Sequence, residues 1–235
     1  MSESVPDKLP RLFLYAPSRE YVRPYFERMM PEYELTDSIA DADAAVMLST
    51  VDVYDVDDGL NINELAPLRS DCPELDCELH FLNDCREHGL RYVLLRCAPV
   101  VCTGMQGYVR RLAERIYRGT YIGLSGNEAV RSVVHAVDLP LVARLTIGNN
   151  DIYNVTDGCE TPVNELADAL AWRMSQKRVM MLKPKWYKLL FGKRKMAEAS
   201  RSLCFSDGKL RSMADYQPTV VVDYLKNHEY DQHSL

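Results

Sequence analysis

Five side chains able to ligate a soft metal fall within seventeen residues: Cys72, Cys77, His80, Cys85 and His88. Zinc needs four such ligands converging on one point. On a helix, Cys77 meets His80 and Cys85 meets His88 at i,i+3 spacing. The whole set, however, spreads over about three turns of one helix, too far for a single site. These residues therefore read as buried thiols and exposed histidines, and no metal is expected. A second cluster is basic and aromatic. Residues 179–195 read VMMLKPKWYKLLFGKRK. That mixture suits either an interfacial helix on an anionic membrane or a docking surface.

Charge is distributed unevenly around these clusters. The net charge is −6, which argues against general nucleic-acid binding. Residues 173–211 hold twelve Lys or Arg against two acids, Glu198 and Asp207, whereas residues 1–172 hold fifteen basic and twenty-eight acidic side chains. Between Lys8 and Lys177 there is no lysine at all. No apolar run reaches the ~18 residues of a membrane span. The start, MSESVPDKLP, lacks the apolar stretch of a secretory signal, so the expected location is the cytoplasm, with the seven cysteines reduced.

Elements that could position such residues alternate along the chain. Residues 1–9 read as a loose leader. Short apolar runs at 12–15, 33–36, 44–49, 92–95 and 152–155 predict strands. The run at 44–49 is apolar on both faces, as a central parallel strand should be. Residues 18–30 predict a helix interrupted by Pro24. Residues 56–70 read as polar loop. Helices are predicted over 73–88, ending at Gly89, and over 107–118, ending at Gly119. Thr161 as cap and Pro162 at the first turn predict a helix reaching Met174. Strands alternating with helices imply a parallel sheet covered on both faces.

Five stretches in order then resemble the extended short-chain dehydrogenase/reductase family, the NAD-dependent epimerases and dehydratases of nucleotide sugars. They are STVDVY at 49–54, LRYVLLRCAPVVCTG at 90–104, RSVVHAVDL at 131–139, YNVTDG at 153–158 with TPVNELA at 161–167, and FSDGKL at 205–210 with YQPT at 216–219. The resemblance covers roughly residues 44–225. It implies an α/β fold: a shortened Rossmann-like parallel sheet with helices on both faces, and a small C-terminal substrate-type lobe. The expected division is a core at 10–158 and a helical lobe at 159–235, forming one compact unit. It also implies that 179–195 packs as a small lobe with solvated lysines, rather than as a membrane or polyanion site.

Set against that family, the chain lacks key residues. The glycine turn that lets backbone N–H groups meet a dinucleotide pyrophosphate is replaced. Its three positions hold Ala16, Arg19 and Val22, and the first glycine of the chain is Gly59. Asp37 stands where a ribose-binding acid would belong. The catalytic Tyr-x-x-x-Lys pair is missing. Alignment on Glu78 puts Ser70 at the tyrosine and Glu74 at the lysine, and no tyrosine lies between Tyr54 and Tyr92. Thr50 matches the catalytic Ser/Thr and is a remnant without its base.

The substrate half is better kept. Arg131 matches an arginine that contacts the substrate diphosphate in related epimerases, and Gly104 lies in the same expected pocket. His135, Asp138 and Arg96 are expected to be structural. These readings lead to a binding or regulatory protein without hydride transfer, with no NAD(P) expected and a nucleotide sugar or nucleotide as ligand. Two alternatives stand beside it. One is an NAD(P)-dependent epimerase, dehydratase or reductase with non-standard cofactor binding, using Thr50 and Glu74. The other is an assembly protein docking a protein partner or membrane through 179–195.

Overall fold

The computed structural model describes residues 9–176, 179–213 and 215–227. The expected leader therefore lies outside the described residues except for Leu9. The strands are β1 (Arg11–Tyr15), β2 (Glu34–Thr36), β3 (Ala44–Thr50), β4 (Gly59–Ile62), β5 (Arg91–Cys97), β6 (Val100–Val101), β7 (Ile122–Leu124), β8 (Val130–Arg131), β9 (Val134–His135), β10 (Asp151–Val155), β11 (Thr161–Pro162), β12 (Met180–Leu182) and β13 (Leu203–Phe205). The helices are α1 (Arg23–Met29), α2 (Pro73–Glu87), α3 (Gly107–Tyr117), α4 (Asp138–Thr146), α5 (Val163–Arg173), α6 (Pro184–Ala199), α7 (Gly208–Met213) and α8 (Val221–Asn227).

The main sheet is parallel throughout, in the order β10-β5-β3-β1-β2. Its centre is β3, paired with β5 from Ala44 opposite Arg91 to Thr50 opposite Cys97. Side chains alternate across a strand. Ala44, Val46 and Leu48 accordingly join one apolar cluster with Phe26 of α1, Leu139 of α4 and Leu166 of α5. Ala45 and Met47 join another with Phe81 and Cys85 of α2. Each fully buried side chain of this kind contributes about 1.5–3 kcal/mol. The result is the Rossmann-like sheet with helices on both faces.

Three local expectations need correction. Residues 18–30 are not one helix: a turn at Ser18 leads into a 3₁₀ turn, Glu20–Val22, and α1 starts only at Arg23. Pro24 then sits in the first turn of α1, where its missing N–H costs nothing, and it interrupts no helix. The loop at 56–70 contains β4, held by the distant β13, with Leu203 opposite Gly59 and Phe205 opposite Ile62. Thr161 does not cap α5, because it pairs with Arg131 as part of β11. A four-stranded sheet, β11-β8-β13-β4, results from these pairings. Neither local periodicity nor propensity could reveal strands of two to four residues made by such distant partners.

In the basic stretch, Met180–Leu182 pairs with β7. In α6 no side chain is fully buried, Tyr187 and Phe191 are half-buried, and the lysines are exposed. Gly192, at a φ of 82°, breaks α6 into two helical segments.

A buried polar network crosses the main sheet. Arg96 Nη2 lies 2.7 Å from Glu78 Oε2, with side chains 4% and 1% exposed. Ser49 donates its hydroxyl to Glu78. Arg96 Nη1 donates to the Tyr54 hydroxyl at 3.2 Å, and that hydroxyl donates to Asn154 Oδ1 at 2.6 Å. The Asn154 amide then reaches the carbonyls of Ile62 and Ser206. One chain of bonds thus joins β3, α2, β5, β10, β4 and the segment after β13.

Two buried aspartates tether the C-terminal end. Asp138 accepts from the backbone N–H and hydroxyl of Thr219, both at 3.0 Å. Asp157 accepts from the N–H of Val221 at 3.2 Å. His135 is buried against the Tyr224 ring, 4.0 Å between centroids.

Two predictions follow from these contacts. Removing one member of the buried ion pair strands the other, so Arg96→Ala and Glu78→Ala should each lose about 3–5 kcal/mol in urea unfolding. The double variant should lose far less than the sum, as a double-mutant cycle will show. Burial pushes the Asp157 carboxyl from 3.8 up to about 6, with the Asp138 charge adding to the rise against N–H donors from Val221 and Cys159. The folded state therefore holds a proton that the unfolded chain has released in this window. Stability should fall as pH rises from about 4 to about 6, and Asp157→Asn should flatten that slope in pH-dependent unfolding.

Candidate functional site

The strand order creates a switch point. From β1 the chain crosses outward to β2, and from β3 it crosses the other way to β5. The crevice beyond the carboxyl ends of two such strands is where open parallel sheets bind ligands. A cleft of about 630 Å³ opens there. Small-molecule sites commonly measure ~300–1,000 Å³.

Its floor is made by the turn after β1. The N–H of Arg19 donates to Ala16 O at 2.9 Å, closing a turn around Pro17 and Ser18. Ser18 takes a φ of 59°, the left-handed region usually left to glycine. Ala16 and Val22 point inward and are buried. The Arg19 guanidinium crosses to the end of β3 and donates to the Ser49 carbonyl. Tyr21 follows, also lining the cleft. Burial pushes its hydroxyl up to about 12, against the lowering effect of the Arg19 charge.

The walls come from β3, α2, α3 and β8. Thr50 lines the cleft, and its hydroxyl accepts from the N–H of Asp52 at 3.2 Å. Glu74 lines it from the first turn of α2. Opposite stand Tyr108 and Arg111, three positions apart on α3, and Arg131 of β8. Arg131 is pinned by backbone pairing to Thr161 on one side and Leu203 on the other. Its guanidinium carbon sits 5.4 Å from the centre of the Tyr108 ring. Its Nε is buried with no hydrogen-bond partner among the described residues. An orphaned buried donor of this kind calls for a ligand or water.

The structure thus brings Arg19, Thr50, Glu74 and Arg131 to one cleft. The other candidates lie elsewhere. Ser70 is exposed and outside the cleft lining. Asp37 is paired with Arg23 at 2.8 Å, and its side chain is 86% exposed. Gly104, at a φ of 77°, lies against Tyr21. His80 and His88 bond carbonyls of their own helix, at 2.7 and 2.9 Å. Among the described residues no three His, Cys, Asp or Glu side chains are arranged to hold a metal. Sequence reasoning passed over Tyr108 and Arg111. Their i,i+3 spacing was a usable signal, masked by the many charges of α3.

No protein-family model and no curated protein matches the chain by sequence. Solved structures do match by shape. A putative epimerase from Burkholderia cenocepacia aligns at a TM-score of 0.66 and 13% identity, over 92% of this chain and 96% of that one. The chain has the fold of the NAD-dependent epimerases and dehydratases. The Pseudomonas aeruginosa protein RMD, complexed with NADPH, aligns at a TM-score of 0.64 and 15% identity over 92% of this chain and 97% of its own. UDP-glucose 4-epimerase from Thermotoga maritima, with UDP-glucose, aligns at 0.61 and 21% identity over 92% and 75%.

Within this epimerase-type fold the position of Gly104 is a backbone requirement. A Cβ there would lie 3.2 Å from Tyr21 Cβ, on a left-handed backbone. Gly104→Ala should lower stability by about 1–2 kcal/mol in thermal or urea unfolding. Adding Tyr21→Ala should recover none of the backbone part of that loss.

Proposed function

We propose that this chain is a binding or regulatory protein of the epimerase/dehydratase fold that holds a nucleotide sugar in the switch-point cleft and does not transfer hydride. The observation that carries this reading is the Arg19 bridge to Ser49 across the crevice between β1 and β3. A pyrophosphate cradled by the N–H groups of a glycine turn does not fit there. Pro17 has no N–H, the N–H groups of Arg19 and Val22 are engaged by Ala16 O and Arg19 O, and side chains stand at the glycine positions. The absence of a tyrosine–lysine pair in the cleft supports the reading without hydride transfer. No lysine lines the cleft among the described residues, and burial raises the hydroxyls of both its tyrosines, Tyr21 and Tyr108. The tyrosine that the resemblance would place beside a lysine is lowered by that neighbouring charge, and neither Tyr21 nor Tyr108 has a lysine beside it in the cleft.

What the cleft does offer is anion recognition. Arg19, Arg111 and Arg131 line it, and guanidinium geometry suits phosphate oxygens. Thr50, Asp52 and Glu74 supply partners for sugar hydroxyls. The neighbour solved with UDP-glucose supports this ligand class. A second reading, an NAD(P)-dependent enzyme with a non-standard cofactor site using Thr50 and Glu74, is favoured by Ser18 and Arg19 lining the same cleft. The neighbour complexed with NADPH supports it too.

Thermal unfolding separates the two. A ligand at a hundred times its dissociation constant adds about 2.7 kcal/mol of stability. For a chain of this size the melting point should rise by roughly 5–10 °C. The expected result is such a rise with a UDP-, GDP- or dTDP-sugar, lost in Arg131→Ala, and none with NAD, NADH, NADP or NADPH. A rise with a dinucleotide, or any NAD-dependent turnover, would sink the first reading in favour of the second.

A further inference from the structure

The first segment of α6 is two-sided, and one side is uncovered. Tyr187 and Phe191, four positions apart, are half-buried, with ring centroids 4.7 Å apart. Their partial burial, beside the exposed side chains that flank them, marks this side as the inner one. Trp186, Leu189 and Leu190 stand at i, i+3 and i+4, so they form one stripe. They are 57%, 75% and 61% exposed. Around the stripe lie Lys183, Lys185 and Lys188, with Lys193 beyond the Gly192 break, and none of the four makes an ion pair among the described residues. Arg194 and Lys195 share the single acid of the segment, Glu198. The cations gather here although the chain as a whole carries −6.

We propose that α6 docks this protein on an anionic lipid surface. An acidic protein would satisfy the lysines but gives no reason for three uncovered apolar side chains in one stripe. A membrane interface accommodates both: acyl chains take Trp186, Leu189 and Leu190, and headgroups take the lysines. The contact is peripheral, since no helix among the described residues is long and apolar enough to cross a membrane. It replaces the solvated-lysine reading of 179–195 and is independent of what occupies the cleft.

The test is co-sedimentation of the full chain with vesicles of phosphatidylcholine, with and without phosphatidylserine. Binding should require phosphatidylserine and weaken as salt shortens the Debye length. Lys185→Ser with Lys188→Ser should weaken binding roughly thirtyfold, at the contribution of a surface lysine near such a membrane. Leu189→Ser with Leu190→Ser, keeping every lysine, should abolish it while the melting point stays put, because both side chains are exposed. In a Trp172→Phe background the Trp186 emission should shift to the blue on binding. Failure to pellet with phosphatidylserine overturns the proposal. So does wild-type binding by the leucine variant or an unmoved Trp186 emission, either of which shows that the apolar stripe takes no part in the contact.

Discussion

Two opposite charges sit inside this protein almost out of reach of water, Arg96 at 3% and Glu78 at 1% exposure. Each ion loses several kcal/mol of hydration there, and their attraction offsets that only with good geometry and further partners. The geometry is good: Arg96 meets both carboxylate oxygens, and Ser49 fills a remaining lone pair. Tyr54 adds its ring face, 5.0 Å from the guanidinium carbon. These partners come from β3, α2, β5 and the turn after β3. None can shift without exposing an unpaired charge, so the register of the central strands and the seating of α2 are tied together. Ser49 also lends its carbonyl to Arg19. The cleft floor is therefore an extension of the same network.

That connection explains how the turn after β1 keeps its shape without glycine. Ser18 holds a left-handed backbone, a conformation costing about 1 kcal/mol or more for a side-chain-bearing residue. The Arg19 bridge and the burial of Ala16 and Val22 stabilise it. The turn after β1 is closed by its own side chains. The opposite wall of the cleft is formed by Tyr108 and Arg111 of α3 and Arg131 of β8. The short strands β8, β11 and β13 matter because they fix the Arg131 backbone from two sides.

The protein also divides its surface by charge. The acidic first three-quarters carry the sheet and the cleft, and most lysines follow in the stretch around α6. Self-repulsion among these lysines is tolerable because the helix lies at the periphery with its cations in water. The Gly192 break separates the apolar stripe from the Lys193–Lys195 run, giving the two parts different directions.

By itself the sequence determined the central strands, the stops of α2 and α3, and the losses. A continuous apolar run of this length, such as 44–49, fits a buried strand, and Gly89 and Gly119 end helices through their left-handed backbone, at φ of 64° and 66°. That no glycine precedes Gly59 and no lysine lies between Lys8 and Lys177 is legible by inspection, since no fold can supply absent atoms. Only the tertiary structure decided where Arg19 points, that Arg131 Nε lacks a partner, that 56–70 holds a strand, and that α6 is uncovered. Each of these depends on residues far apart in the chain. Asp58 and Ser202, 144 positions apart, share a hydrogen bond beside β4. Local pattern reports which face of an element is apolar, but whether another element covers that face is settled by packing alone.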